Sequence, residues 1–307
     1  MKIVSLFSGA GGLDLGLIKA GHEIVWANDF DLDSCETYKL NIGNHIVCKD
    51  ISKVKISEIP DADVVIGGFP CQGFSMANML RDADDQRNKL YKEFQRIIKE
   101  KRPAYFIAEN VRGILSLDNG NIIKKIVKDF SAAGYRVKYK PLNAADYGVP
   151  QTRIRVIIAG TRKDLPEDMD FQYPEATHEK TQWVSIGEAL KGIPEPEDPQ
   201  SKLKNHICSK YKVTDRNFTG HRKTNPNKPS PTILARGNGK GGVCAIQHPE
   251  NHRRMSVRES ALVQTFPLDF EFVGKLGSMY RQVGNAVPVL LGQHLGKKLK
   301  EIEEVLA

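Results

Sequence analysis

Cys71 lies in the run Gly67-Gly68-Phe69-Pro70-Cys71-Gln72-Gly73-Phe74-Ser75, just behind an apolar stretch, Asp63 to Ile66, that reads as a short strand. A thiol in a post-strand turn near a possible helix start is a candidate nucleophile, because such a setting favours the thiolate; an unselected cysteine is more often a small buried hydrophobe. Pro70 restricts the backbone immediately before it. Glu109 follows a second apolar stretch, Ala104 to Ala108, and its carboxyl group could supply or share a proton, with a plain surface carboxylate as the alternative. Arg153 and Arg155, in Gln151-Thr152-Arg153-Ile154-Arg155, could steady developing negative charge, although either arginine alone would more often lie at the surface or on a phosphate.

These residues need a frame. Ile3 to Phe7 reads as a strand ended by Ser8-Gly9-Ala10-Gly11-Gly12, after which Leu13, Leu17 and Ala20 share a helix face up to Gly21. A second strand fits Glu23 to Ala27, with Asn28, Asp29 and Asp31 at its carboxyl end, and a helix fits Leu32 to Leu40. Further strands fit Asp63 to Ile66, Ala104 to Ala108 and Arg153 to Ala159; helices fit Lys89 to Lys99, Ile122 to Ala133 and Val289 to Leu306. Such alternation predicts an α/β fold, a mostly parallel sheet with helices on both faces. Ligands collect beyond the carboxyl ends of such strands, where Gly9, Gly11, Gly12, Asp29, Asp50, Cys71 and Glu109 all fall in or beside loops. A glycine-rich first loop is weak evidence alone, since glycine also serves tight turns and close packing.

From about Thr177 the pattern changes. Residues 174–256 cluster Pro, Asn, Lys, Arg and Gly around short apolar pieces, which predicts a second domain or a long irregular insertion. The runs Gly220 to Lys228 and Arg236 to Gly242 fit solvated loops or loops that touch phosphates and base edges. The 307-residue chain carries 45 Lys and Arg against 37 Asp and Glu, a net charge of +8 that suits a polyanionic partner without requiring one. No apolar run approaches the roughly 20 residues of a membrane span, and the N-terminus lacks the layout of a cleavable signal. A cytoplasmic or nucleoid-associated protein with reduced thiols is expected: the five cysteines form no close ligand pair, and their odd number is poor material for a disulfide framework.

Taken together, the motifs closely resemble those of bacterial type II restriction-modification cytosine-C5 DNA methyltransferases. Phe7 to Gly16 resembles that family's cofactor loop, Gly67 to Ser75 its nucleophile motif, Glu109-Asn110-Val111 its catalytic glutamate motif and Gln151 to Arg155 its arginine motif. Arg258 to Pro267 and Gly284 to Pro288 resemble its last two blocks, and all stand in the expected order. Ser260, where cysteine is frequent, and Thr265, where glycine is frequent, depart from the usual spelling without removing a chemical group.

The resemblance implies an S-adenosylmethionine-dependent enzyme, with S-adenosylhomocysteine as product and no metal, acting on a cytosine flipped out of double-stranded DNA through a covalent Cys71–C6 adduct. Glu109 would serve the cytosine N3 edge and Arg155 its O2, with Arg153 shaping the pocket or binding phosphate. Phe7 would pack on adenine; Gly9, Ala10, Gly11 and Gly12 would allow close backbone approach, with Leu13 beside them. Asp29 would hold the ribose hydroxyls, Asp50 and Ile51 would contact adenine, and Pro70, Asn285 and Val287 would complete the cofactor side. Ser75, Arg81 and Arg87 would touch DNA from a mobile loop spanning residues 72–90, and Thr232 would touch its backbone from the recognition domain. The implied domains are catalytic residues 1–176 completed by 273–307, with target recognition and a connecting segment in 177–272. A monomer is expected, because both substrate-binding lobes occur in one chain, and a separate restriction endonuclease would be the cellular partner. A tRNA cytosine-C5 methyltransferase on the same blocks and an inactive DNA-binding homologue are the competing readings.

Overall fold

The computed structural model describes residues 1–70, 90–209, 224–235, 246–250 and 253–306. Among these, seven strands form one sheet: β1 (Lys2–Leu6), β2 (Glu23–Asp29), β3 (Ile46–Cys48), β4 (Val64–Gly67), β5 (Tyr105–Val111), β6 (Tyr135–Asn143) and β8 (Ile154–Arg162), in the spatial order β3-β2-β1-β4-β5-β8-β6. The first five are parallel, whereas β8 runs antiparallel between β5 and β6. A separate short pair joins β7 (Gln151–Thr152) to β9 (Ser230–Pro231).

Strand period two divides the core. Ile3, Ile66, Ile107 and Ile157 point to one face, where Leu17, Tyr38, Leu291, Leu295 and Leu299 cover them from α1 (Gly12–Lys19), α2 (Leu32–Asn41) and α8 (Val289–Leu306). Their neighbours Val4, Val65, Phe106 and Ile158 point to the other, under Phe94, Ile97, Ile126 and Phe130 of α3 (Leu90–Lys101) and α4 (Asn121–Ala132). Burial on both faces explains why these strands read as continuous apolar runs. No helix among the described residues is long and apolar enough to cross a membrane.

A third core joins Ile186 of α5 (Ile186–Ala189), Ile233, Met255, the apolar face of α6 (Val257–Val263), Phe266, Phe270 and Phe272 to Met279, Tyr280 and Val283 of α7 (Leu276–Asn285). This third core also takes in Ala10 of the glycine loop and Val289 at the start of α8, while Leu291, Leu295 and Leu299 of α8 return to the sheet. α7 is also tied to α2, since Thr37 donates to Gln282 at 2.7 Å and Arg281 pairs with Asp31 at 2.8 Å.

Candidate active site

The strand order reverses between β1 and β4, so the loops after these strands diverge and leave a crevice at their carboxyl ends. Register aligns the crevice residues. Leu6 pairs with Asn28 and with Gly67, and Gly67 with Ala108, which lines up Asp29, Phe7, Gly68 and Glu109 along one sheet edge. At about 4.8 Å per strand, the row from Asp29 on β2 to Arg155 on β8 spans roughly 19 Å.

At one end of the row, Glu109 and Arg155 meet. In the antiparallel β5–β8 ladder Glu109 stands opposite Ile157, so Arg155, two residues away, is its diagonal neighbour on the same face. Arg155 Nε lies 2.6 Å from Glu109 Oε1, with each residue only 8% exposed. The N–H is not aligned for a good hydrogen bond, so the contact is one of charge. Burial lowers the Arg155 pKa, and the carboxylate beside it works against that shift. Glu109 lies inside β5 rather than in the loop after it, paired with Ile157 of β8 just beyond the point where the β4–β5 ladder ends at Gly67 and Ala108.

Two further motif residues, Gly68 and Asn110, border the carboxylate and the turn next to it. A Cβ on Gly68 would come within 2.9 Å of Glu109 Oε2, so glycine is what leaves room for the carboxylate there. Asn110 donates from Nδ2 to the carbonyl of Phe69 at 3.0 Å and accepts from Val111 N through Oδ1. Its amide fixes the approach to Pro70, which is half-buried. Cys71, the next residue, lies outside the described residues, as do Ser75, Arg81, Arg87 and most of the predicted mobile loop.

At the other end, Phe7 and Gly9 both take left-handed φ, 55° each, and Gly11 follows at 86°. A Cβ on Gly9 would meet nothing within 4 Å, whereas one on Gly11 would strike Ile42 and Tyr38, and one on Gly12 the Val287 carbonyl at 2.4 Å. Gly9 is thus the open position, while Gly11 and Gly12 serve packing. Phe7 holds a conformation unfavourable to a side chain, a strain commonly kept at functional sites. Asp29 Oδ2 accepts from Gly9 N at 2.8 Å and Oδ1 from Asp31 N at 2.9 Å, and burial raises its pKa. The helix cap is Asp31, which accepts from Ser34 N. Phe30, beside Asp29, is 73% exposed, an aromatic face that the sequence reading passed over although it directly follows a singled-out carboxylate.

The remaining cofactor candidates divide. Asp50 is exposed and accepts from the amide and hydroxyl of Ser52, which lower its pKa. Ala10, Leu13 and Ile51 are buried in the three cores. Asn285 is exposed at the end of α7, while Val287 is buried behind Gly12. Beneath the loop, fully buried Asp14 accepts from Ser5 at 2.8 Å and Tyr38 at 2.9 Å, and burial pushes its pKa up to about 6.

Arg153 corrects the phosphate alternative. It is 0% exposed, and its guanidinium donates to the carbonyls of Ile233 at 2.8 Å and of Gly284 and Ala286 at 2.9 Å each, so no phosphate can reach it. Thr232 is half-buried and donates to the Thr152 carbonyl at 2.8 Å, which places it in the same junction.

A model of the C-5 cytosine-specific DNA methylases matches residues 1–301. The chain belongs to this family. It is 41% identical to the type II methyltransferase M.NgoFVII of Neisseria gonorrhoeae, over 94% of this chain and 83% of that one. It is 40% identical to M.MthTI of Methanothermobacter thermautotrophicus, over 100% and 99%. Among solved structures, a prophage-encoded E. coli protein described as a DNA modification methyltransferase superposes with a TM-score of 0.75 at 25% identity, covering 99% of each chain. The S. pombe Dnmt2 methyltransferase shares the fold, with a TM-score of 0.74 at 20% identity over 100% of this chain and 99% of that one.

Proposed function

We propose that this methylase transfers a methyl group from S-adenosylmethionine to C5 of a cytosine flipped out of duplex DNA, through a covalent bond from Cys71 to C6. The observation that carries this reading is the row of strand ends, with the buried Glu109–Arg155 pair at one end and the open Gly9–Asp29 cradle at the other. The cradle fits the cofactor: Gly9 leaves free space, Asp29 can accept from ribose hydroxyls, and exposed Phe30 together with Phe7 offers flat apolar faces to adenine. Asp50, Ile51, Pro70, Asn285 and Val287 would line its borders.

S-adenosylmethionine, when bound, supplies an electrophilic methyl group. Cytosine C5 is too weak a nucleophile to take it unaided, so the Cys71 thiolate first forms a bond to C6 and pushes an electron pair toward N3 and O2. Glu109 gives or shares a proton at N3, and Arg155 faces the charge at O2 in a site already largely shielded from water. C5, now enamine-like, takes the methyl group and S-adenosylhomocysteine would leave; the C5 proton then passes to water, the N3 proton returns to Glu109, and the electron pair freed at C5 restores the ring and expels Cys71 Sγ as thiolate. Asn110 contributes by holding the Phe69 carbonyl, and with it the turn into Pro70. Residues 177–272 would carry target recognition, with Thr232 at the edge that meets the DNA backbone.

Incubation of the protein with labelled S-adenosylmethionine and either duplex DNA or tRNA, with Cys71→Ser in parallel, tests this. The expected product is 5-methylcytosine at a short recurring DNA site, absent from the variant. Transfer to tRNA alone, or full activity of Cys71→Ser, would overturn the reading.

A further inference from the structure

The junction around Arg153 connects three parts of the molecule that the reaction must use at the same time. Arg153 lies two residues before Arg155 and is sealed from solvent. One arm of its guanidinium holds Ile233 O; the other holds Gly284 O and Ala286 O in the segment that leads to Val287. Gln151 holds the amide of the same residue, accepting from Ile233 N at 2.9 Å, and donates to Gln264 Oε1 at 2.7 Å. Gln264 in turn donates to Val283 O at 2.7 Å and Ala286 O at 3.0 Å. Ala286 is therefore held from two sides, and the Val287 carbonyl just after it packs so near Gly12 of the glycine loop that a Cβ there would lie 2.4 Å from it.

The packing around these bonds is equally tight. A Cβ on Gly284 would lie 2.4 Å from Ala235 N, so α7 touches the backbone of the 232–235 segment directly. A planar guanidinium has fixed donor directions. A shift of Ile233 relative to Ala286 would break at least one buried bond with no water to replace it, which is costly compared with moving all three segments together.

We infer that Arg153 is a positioning residue that couples the two substrate sites, so that nucleic acid bound along the Thr232–Ile233 segment tightens the hold of the Gly9–Gly12 loop on the cofactor, and the reverse. The inference rests on the reading of function above. Coupling between sites is reciprocal and commonly worth 5- to 150-fold. The residue acts through backbone segments and touches neither substrate.

The test uses the full chain. Binding of S-adenosylhomocysteine is measured with and without the duplex oligonucleotide mapped as the methylation site, in the wild type, Arg153→Lys and Gln264→Met. The second variant cuts a tie to Ala286 without removing a buried charge. The readout is the ratio of the two affinities, which general loosening of the fold would not selectively change. DNA is expected to tighten binding about tenfold in the wild type and less than about twofold in either variant. A wild type that methylates DNA but shows no tightening, or variants that keep the wild-type ratio, overturns the coupling and leaves the functional reading standing. A wild type that binds S-adenosylhomocysteine but methylates no DNA overturns that reading, and the coupling with it.

Discussion

Gly67 and Gly68 are adjacent, yet alanine should affect them in different ways. At Gly68 the new Cβ would lie 2.9 Å from Glu109 Oε2, about 0.5 Å inside the 3.4 Å at which ordinary contact begins. The carboxylate cannot simply swing clear, because Arg155 Nε holds its other oxygen at 2.6 Å and the pair is buried. It must therefore shift by a few tenths of an ångström. A misplacement of about 1 Å can cost on the order of 100-fold in rate, so Gly68→Ala should lower single-turnover methyl transfer about tenfold, or roughly 1.4 kcal/mol. Stability should change by less than about 1 kcal/mol, since only a side-chain terminus moves. At Gly67 the Cβ would strike the Leu6 carbonyl at 2.5 Å in the middle of the sheet. There the backbone must give, and Gly67→Ala should destabilise the fold by about 1–3 kcal/mol. Rates from labelled S-adenosylmethionine and duplex DNA, set beside urea denaturation midpoints for both variants, separate the effects. A Gly68→Ala enzyme within twofold of wild type, or one whose rate loss is matched by lost stability, would refute the assignment of Gly68 as the residue that seats the carboxylate.

Three further outcomes follow from local geometry. Thr265 sits at φ 61°, and its hydroxyl accepts from Leu290 N at 2.9 Å near the start of α8. The same hydroxyl donates to the Gln264 carbonyl at 2.7 Å, so glycine there loses two bonds of about 1 kcal/mol each but sheds about 1–2 kcal/mol of backbone strain; Thr265→Gly should stay within about 1 kcal/mol of wild type and above Thr265→Ala in denaturant melts, and the opposite order would exclude the strain. Asp14 has its pKa raised to about 6 by burial, so the folded state binds its proton more tightly than the unfolded chain does. Its contribution to stability is present in full below the unfolded value near 4 and is lost as pH rises through about 6. Denaturation midpoints of Asp14→Asn should therefore lack a component of about 3 kcal/mol that the wild type shows between pH 4 and pH 7, and an unchanged pH profile would reject this. Phe30→Ala should leave stability within about 0.5 kcal/mol, because the ring is exposed, yet weaken S-adenosylhomocysteine binding about tenfold if adenine stacks there; calorimetric titration reads both the affinity and its absence.

Much of the frame was legible because buried parallel strands are written as apolar runs. The starts of β1, β4 and β5 could be assigned within a residue, though β5 runs on to Val111, three residues past the expected end, and the tail helix from Val289 to Leu306 matched at both ends. β6 escaped for the opposite reason: it is the sheet edge, largely exposed, and Arg136, Lys138, Lys140 and Pro141 break any apolar alternation. β3 is only three residues long. Within the site, Glu109 and Arg155 could be named from their motifs, but the role of Arg153 could not. Its partners are backbone carbonyls 80 and more residues away, which leave no mark on side-chain type. The same limit hid Asn110, whose amide is spent on the carbonyl of Phe69.

The position of each motif relative to its strand has a geometric cause. On the parallel strands β1, β2 and β4 the glycine loop, Asp29 and the Phe69-Pro70 turn fall at or just beyond the carboxyl end, and Glu109 falls near the end of β5, because those ends share one edge of the sheet. β8 runs the other way, so its beginning lies at that edge. Arg155 must accordingly stand at the start of its strand to meet Glu109, and the residues just before it, Gln151 to Arg153, are the ones carried to the segments around Ile233 and Ala286. β6 runs antiparallel to β8, so its last residue, Asn143, returns to the same edge, where its side chain accepts from Arg153 N at 3.2 Å. One reversed strand thus brings the arginine block to both the buried Glu109 carboxylate and the segments around Ile233 and Ala286. Arg155, opposite Val111 in the ladder, serves the carboxylate, while Arg153, just ahead of β8, serves the junction.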